Sequence, residues 1–101
     1  MAAIPGGVGQ TVNMDENVRH ICKELRAQIE ASTNRNFSTF IPLLYRNQVV
    51  NGISYWVKIL VEPAVNNMLN ECIHVRIFQT GRLISYKLEK VAQEKTVLEA
   101  L

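Results

Sequence analysis

The fold is decided by the stretch QVVNGISYWVKILVE, residues 48–62. It begins with two valines and an Asn-Gly pair, and apolar residues then occupy every second position of residues 53–61. Asn-Gly between two apolar runs is the strongest short-range signal for a β-hairpin, because both residues tolerate the positive φ of a type I′ turn. An alternation with a period of two predicts a strand with one buried face. We therefore expect a hairpin closed by a two-residue turn at Asn51-Gly52.

The valine pair Val49-Val50 is unusual beside a hairpin tip. Large apolar side chains in such a place are unfavourable in water unless another molecule covers them. Two interpretations stay open from these residues alone. Either the valines fold back onto the sheet, or they belong to a binding loop.

A helix is predicted before this hairpin. Asn13 followed by Glu16 forms a capping box pattern, and Asn34 is a candidate C-cap that follows a β-branched residue. We place the helix at residues 13–33. Its apolar stripe at helical spacing consists of Val18, Ile21, Cys22, Leu25 and Ile29.

Further strands are predicted on both sides of the 53–62 strand. One covers residues 40–50, where Pro42 requires an edge position or a bulge. Another covers 72–78, and a last strand starts at residue 83 after a tight turn at 79–82. The fold class is thus α+β, an antiparallel β-sheet wrapped around one long α-helix, in a single domain of residues 1–101. Residues 1–12 are expected to form a flexible N-terminal arm, and residues 40–101 the sheet and a C-terminal segment.

Composition narrows the class of protein. The chain has 101 residues, of which 48% are hydrophobic and 20% charged, as in a soluble globular domain. A net charge of +2 is too small to argue for nucleic acid or a membrane surface as a partner. Residues 1–7 lack the basic and apolar regions of a signal peptide, so we expect a cytoplasmic protein. Its two cysteines should then remain thiols.

Catalysis and metal binding are not expected. Residues 6–11 are glycine-rich but lack the lysine of a phosphate-binding loop. His20 and Cys22 lie two apart on the helix and point in different directions. Cys72 and His74 share a strand face, but nothing nearby suggests an oxyanion hole. A four-ligand metal site would need His20 and Cys22 to converge on this pair. We expect no enzyme activity, no metal and no cofactor.

In order and spacing, three segments resemble the stefins, the intracellular and disulfide-free branch of the cystatins. They are Ile4-Pro5-Gly6-Gly7, the helix end at residues 28–34, and the hairpin Gln48-Val49-Val50-Asn51-Gly52. Residues 55–58, 74–78 and 85–86 are also similar to later strands of that family. The resemblance covers nearly the whole chain.

The resemblance implies reversible, tight-binding inhibition of papain-like cysteine proteases, including cathepsins. The arm and the hairpin tip would occlude the active-site cleft together. Ile4 and Pro5 would fill substrate pockets, and Gly6 and Gly7 would let the arm lie close to the protease. Residues Gln48, Val49, Val50, Asn51 and Gly52 would enter the cleft.

The chain departs from the family pattern in its second hairpin, which in stefins is longer and has a proline at its tip. Here the expected turn offers only Thr80, Gly81 and Arg82 as a weak further contact. The connection 62–71 is longer than usual, and Pro63 is expected to begin a short helical turn within it. An alternative function is therefore a stefin-like scaffold with weak or lost inhibition that acts as an interaction protein. A monomer is the expected active form, and a domain-swapped dimer is the alternative.

Overall fold

The computed structural model describes residues 11–62, 70–80, 85–96 and 100–101, with Val50 described by its main chain alone. The elements in chain order are β1 (Val12–Asn13), α1 (Glu16–Thr33), β2 (Ile41–Val50), β3 (Gly52–Glu62), β4 (Glu71–Gln79) and β5 (Tyr86–Thr96). The strands form one antiparallel sheet in the order β1-β2-β3-β4-β5. The predicted α+β class, a strand meander with one long helix, is confirmed.

The helix α1 starts at Glu16, three residues later than predicted. Asp15 is the N-cap, with an extended backbone, and its Oδ1 accepts a hydrogen bond of 2.9 Å from the amide of Val18. The predicted capping box at Asn13 is wrong, because Asn13 belongs to β1 and pairs with β2. Asn and Asp are equally good N-caps, so the strand pairing of Asn13 decides between them.

The end of the helix lies where the sequence predicts it. Thr33 is the last helical residue, and Asn34 follows in the left-handed region at φ 55°. The Asn34 amide donates to the carbonyls of Ala31 and Glu30. The C-terminal carbonyls of the helix thereby gain partners that an extended continuation would not provide.

The core lies between the apolar stripe of α1 and one face of the sheet. All five predicted stripe residues of the helix are buried. Complete burial of such a side chain stabilises the fold by about 2 kcal/mol. The buried core residues are Val18, Ile21, Cys22, Leu25, Ile29, Phe37, Tyr55, Val57, Ile59, Val61, Ile73, Val75 and Ile77.

The opposite face of the sheet is more buried than the alternation of β3 predicts. Lys58, on the face that this alternation leaves to solvent, is only 3% exposed, and Cys72 on the neighbouring strand is fully buried. The main-chain oxygen of Leu101 accepts a 3.0 Å hydrogen bond from Arg46 of β2, so the last residue of the chain packs at this sheet. The pattern of one strand cannot show what covers its second face, so the prediction of a single buried face is wrong at Lys58.

Several irregularities bend the sheet. The register of β2 shifts between Pro42 and Leu44, which is the bulge that Pro42 predicts. Strand β5 shifts its register twice, and Glu94 at one of these places has φ 59°. Such bulges increase the local twist of a strand. The helical turn predicted at residues 63–69 lies outside the described residues.

Among the residues that the structure describes, no helix is long and apolar enough to cross a membrane.

Candidate functional site

The tip of the β2–β3 hairpin has a different register from the one predicted. Val49 faces Ile53 and Val50 faces Gly52, which leaves Asn51 alone between the two strands. A two-residue turn at Asn51-Gly52 would instead pair Val50 with Ile53. The predicted type I′ turn is therefore wrong, although the hairpin itself is present at the predicted place.

Gly52 explains this register. Its φ is 128°, a conformation that L-residues with a side chain rarely adopt. A Cβ atom at this position would lie 2.5 Å from the carbonyl oxygen of Gln79 and 2.6 Å from Cζ of Phe78. The hairpin tip thus packs directly against strand β4, and the approach is close enough to exclude any residue larger than glycine.

The side chains at the tip differ in exposure. Val49 is 37% exposed, one of the most exposed large apolar side chains of the described chain. It lies on the same sheet face as Ile53, which packs against the core. Gln48 is half-buried on the other face, and Asn51 is exposed. Val49 therefore does not fold back completely, which leaves an apolar side chain at the tip.

The start of the described chain approaches the same end of the sheet. Val12 of β1 faces Tyr45 of β2, and the two strands are antiparallel. Followed from Asn13 towards Thr11, β1 therefore runs in the direction of the hairpin tip. The predicted arm residues, Ile4 to Gly7, lie outside the described residues. Their expected position beside the tip stays a prediction.

The second hairpin also ends on this side of the molecule. Its last pair is Gln79 with Tyr86, and the amide of Thr80 donates a 3.1 Å hydrogen bond to the carbonyl of Ser85. Six residues, 80–85, thus connect β4 and β5. The predicted strand start at residue 83 is wrong. Of the turn predicted at 79–82, Gln79 belongs to β4, and residues 81–82 lie outside the described residues.

Strand β5 starts at Tyr86, three residues later than predicted. Thr80 is exposed. Gly81 and Arg82 lie outside the described residues, so their contact role stays a prediction.

Two tyrosines hold the base of the β2–β3 hairpin. The Tyr45 hydroxyl donates a 2.6 Å hydrogen bond to Oδ2 of Asp15, which raises the pKa of Tyr45 to about 12. The Tyr55 hydroxyl donates a 2.9 Å hydrogen bond to Oε1 of Gln79, and burial raises the pKa of Tyr55. The two ring centroids are 6.1 Å apart. Helix start, hairpin and β4 are thereby connected.

Sequence reasoning did not identify these tyrosines as supports of the site. No signal for their contact was present, because a two-residue turn at Asn51-Gly52 would place positions 45 and 55 on opposite faces of the sheet. They are diagonal neighbours only in the observed register, in which Tyr45 faces Val57. Their hydroxyl partners could not be read from the sequence, since Asp15 and Gln79 come from distant segments.

Neither thiol is positioned for chemistry. Cys22 and Cys72 are free and fully buried. Burial raises the pKa of Cys22 to about 12, and it also raises the pKa of Cys72. Reactive cysteines have a lowered pKa and partial exposure, so these residues are structural. In the described ranges, no group of three His, Cys, Asp or Glu residues could hold a metal ion.

No family model matches the chain. Individual proteins are similar to it along most of its length. Cystatin-A of Felis catus is 32% identical over 76 residues, which cover 75% of this chain and 71% of the relative. Leukocyte cysteine proteinase inhibitor 1 of Sus scrofa is 26% identical over 99 residues, which cover 91% of this chain and 90% of the relative. Stefin-C of Bos taurus is 26% identical over 97 residues, which cover 89% of this chain and 90% of the relative. With this similarity along most of its length, and with described residues that form one helix on a five-stranded antiparallel meander, the chain belongs to the stefin branch of the cystatin family.

Proposed function

We propose that this protein is a reversible, tight-binding inhibitor of papain-like cysteine proteases of the cathepsin type. One relative is named a cysteine proteinase inhibitor, which supports the class of partner. The observation that carries the proposal is the hairpin tip, where Val49 is exposed on a turn that Gly52 packs against β4. In this proposal the cleft of the protease covers that tip.

The rigidity of the tip favours binding. Association is opposed by the entropy of ordering flexible groups. Residues 49–53 are already fixed by strand pairing and by the contact of Gly52 with β4. The apolar side chain can therefore contribute most of its desolvation free energy, and little of it is lost to ordering.

The second part of the proposed contact is the segment Ile4, Pro5, Gly6 and Gly7. The direction of β1 supports this placement, because the strand runs towards the tip when it is followed from Asn13 back to Val12. The residues Thr80, Gly81 and Arg82 would add a third contact. The exposure of Thr80 favours such a contact.

Inhibition by this surface requires no reaction of the inhibitor. Residues 4–7 and the hairpin tip at residues 48–52 together form a wedge. This wedge fills the cleft and places no peptide carbonyl of its own in reach of the catalytic thiolate. Substrate is excluded sterically, and dissociation restores the protease. We further propose a cytoplasmic location and a monomeric active form, since exchange of the hairpin between two molecules would remove the tip.

The test is a titration of papain and of a cathepsin L-like protease with the purified protein. We expect stoichiometric loss of activity for the parent. Val49→Asp should weaken inhibition at least tenfold, because a carboxylate must be desolvated in the cleft. Deletion of residues 1–7 should weaken it less, because the arm must first lose conformational freedom on binding.

The matched control for Val49→Asp is Ile41→Asp. Ile41 lies on the same strand, is 50% exposed, and sits at the end of β2 away from the tip. The Ile41→Asp variant should inhibit the protease as strongly as the parent does. Equal inhibition by Val49→Asp and the parent would refute the wedge, and no inhibition by the parent at micromolar concentration would favour a scaffold that has lost this activity.

A further inference from the structure

A groove lies between the exposed side of α1 and the start of β2, at the end of that strand opposite the hairpin tip. Its volume is about 350 Å³. Its lining residues are Arg19, Lys23, Arg26, Phe40, Ile41 and Pro42. Three cationic side chains of one helix face an apolar segment there, and no part of the proposed protease contact lies among them.

One wall of the groove is fixed. The guanidinium carbon of Arg26 lies 5.0 Å from the centre of the Phe40 ring. Its Nη2 donates a hydrogen bond to the carbonyl of Phe37, and its Nε lies 3.5 Å from a carboxylate oxygen of Glu30. Arg26 and Phe40 are therefore held in place before any ligand arrives, and Arg26 contributes shape more than a free charge.

The other two cations are available to an anion. Lys23 is exposed and has no hydrogen bond or ion pair among the described residues. Arg19 pairs with Glu16, but the two side chains are 51% and 89% exposed. An ion pair this exposed is weak because water and salt screen it. A carboxylate in the groove can thus attract both Lys23 and Arg19.

The floor of the groove is apolar and exposed. Ile41 is 50% exposed, more than the other exposed large apolar side chains of the described chain, Val12 and Val49. Pro42 beside it lacks an amide donor, and the strand has a bulge at this point. Both features prevent the addition of another strand along this edge. The ligand must therefore be recognised through side chains.

We infer that this groove binds an acidic peptide segment of a partner protein. Carboxylates of the peptide lie against Lys23 and Arg19, and an apolar side chain of the peptide covers Ile41 beside Phe40. The volume is near the lower end of the roughly 300–1,000 Å³ found for ligand pockets, enough for one or two side chains. Charge complementarity of this kind selects the partner and speeds its association.

The probe for this proposal is a fluorescein-labelled peptide with two aspartates on each side of a Leu-Phe pair, titrated by fluorescence anisotropy at low salt. We expect saturable binding to the parent. Lys23→Glu should weaken it at least tenfold, and Ile41→Ser at least threefold. The matched control is Lys87→Glu, an exposed lysine of β5 on the opposite face of the sheet, which should bind within twofold of the parent.

Four results would overturn the proposal. They are no saturable binding, an equal loss in Lys87→Glu and Lys23→Glu, equal binding of a peptide in which Ser-Ser replaces Leu-Phe, and displacement of the probe by equimolar dodecanoate. The last result would assign the groove to fatty acids. Thermal unfolding of each variant checks that the fold is retained. The proposal does not depend on protease inhibition, because the tip is not part of the groove.

Discussion

At the scale of single residues, Gly52 determines the geometry of the proposed wedge. A methyl group at this position would meet the Gln79 carbonyl and the Phe78 ring at distances that no real Cβ atom shows, and φ would be strained as well. We expect Gly52→Ala to lower the free energy of unfolding by about 2–3 kcal/mol. Inhibition should weaken too, because the tip must move away from β4.

Urea unfolding followed by tryptophan fluorescence measures this loss. The matched control is Asn51→Ala at the neighbouring tip position, where a Cβ atom already exists and the side chain is exposed. Its free energy of unfolding should stay within about 0.5 kcal/mol of the parent. If Gly52→Ala were as stable as Asn51→Ala, the close approach of tip and β4 would not exist in solution.

At the scale of elements, the hydrogen bond between Tyr45 and Asp15 connects β2 to the start of α1. The Tyr45 hydroxyl, and after it the Val18 amide, lowers the pKa of Asp15. A lowered carboxyl pKa stabilises the fold above about pH 4, and that contribution is lost as the pH falls through the folded value. The raised pKa of Tyr45 stabilises the fold below about pH 10, and that part is lost as the pH rises towards about 12.

Tyr45→Phe should therefore cost about 1 kcal/mol of unfolding free energy at pH 7. The difference from the parent should shrink both below pH 4 and above pH 10, where one partner loses its required protonation state. Urea unfolding at pH 3, 7 and 11 gives this profile. Tyr86→Phe is the control, since the Tyr86 hydroxyl has no hydrogen-bond partner among the described residues. A pH-independent cost for Tyr45→Phe would show that the bond does not form.

The elements also show how far the sequence predicts the structure. The helix stripe and the alternation of residues 53–61 depend on periodicity, and both were predicted correctly because burial of one face follows directly from spacing. The hairpin register was predicted wrongly. Asn-Gly fits a two-residue turn, whereas Gly52 is needed for the contact with Phe78 of β4, 26 residues later in the chain. Burial of Lys58 was missed for the same reason. Local patterns specify the elements, and distant contacts select the details.

At the scale of the whole molecule, the two proposed surfaces lie at opposite ends of β2. The groove contains Ile41 and the tip follows Val50, so nine residues of strand, about 30 Å, separate them. Strands β2 and β3 pair over this whole length, with one bulge near Pro42. Coupling between two sites requires an element that has a different state when either site is filled. A continuously paired hairpin with a fixed tip offers no such change.

We therefore expect the acidic peptide and a protease to bind simultaneously and independently. The affinity of the labelled peptide should agree within twofold for the free protein and for its complex with papain whose catalytic thiol has been blocked. By reciprocity, saturating peptide should leave the inhibition constant unchanged within the same limit. The Ile41→Ser and Val49→Asp variants serve as complementary controls, since each should bind one partner more weakly and leave the affinity for the other unchanged. A change above fivefold in either direction would mean that the protease reaches the groove, or that the sheet transmits binding from one end to the other.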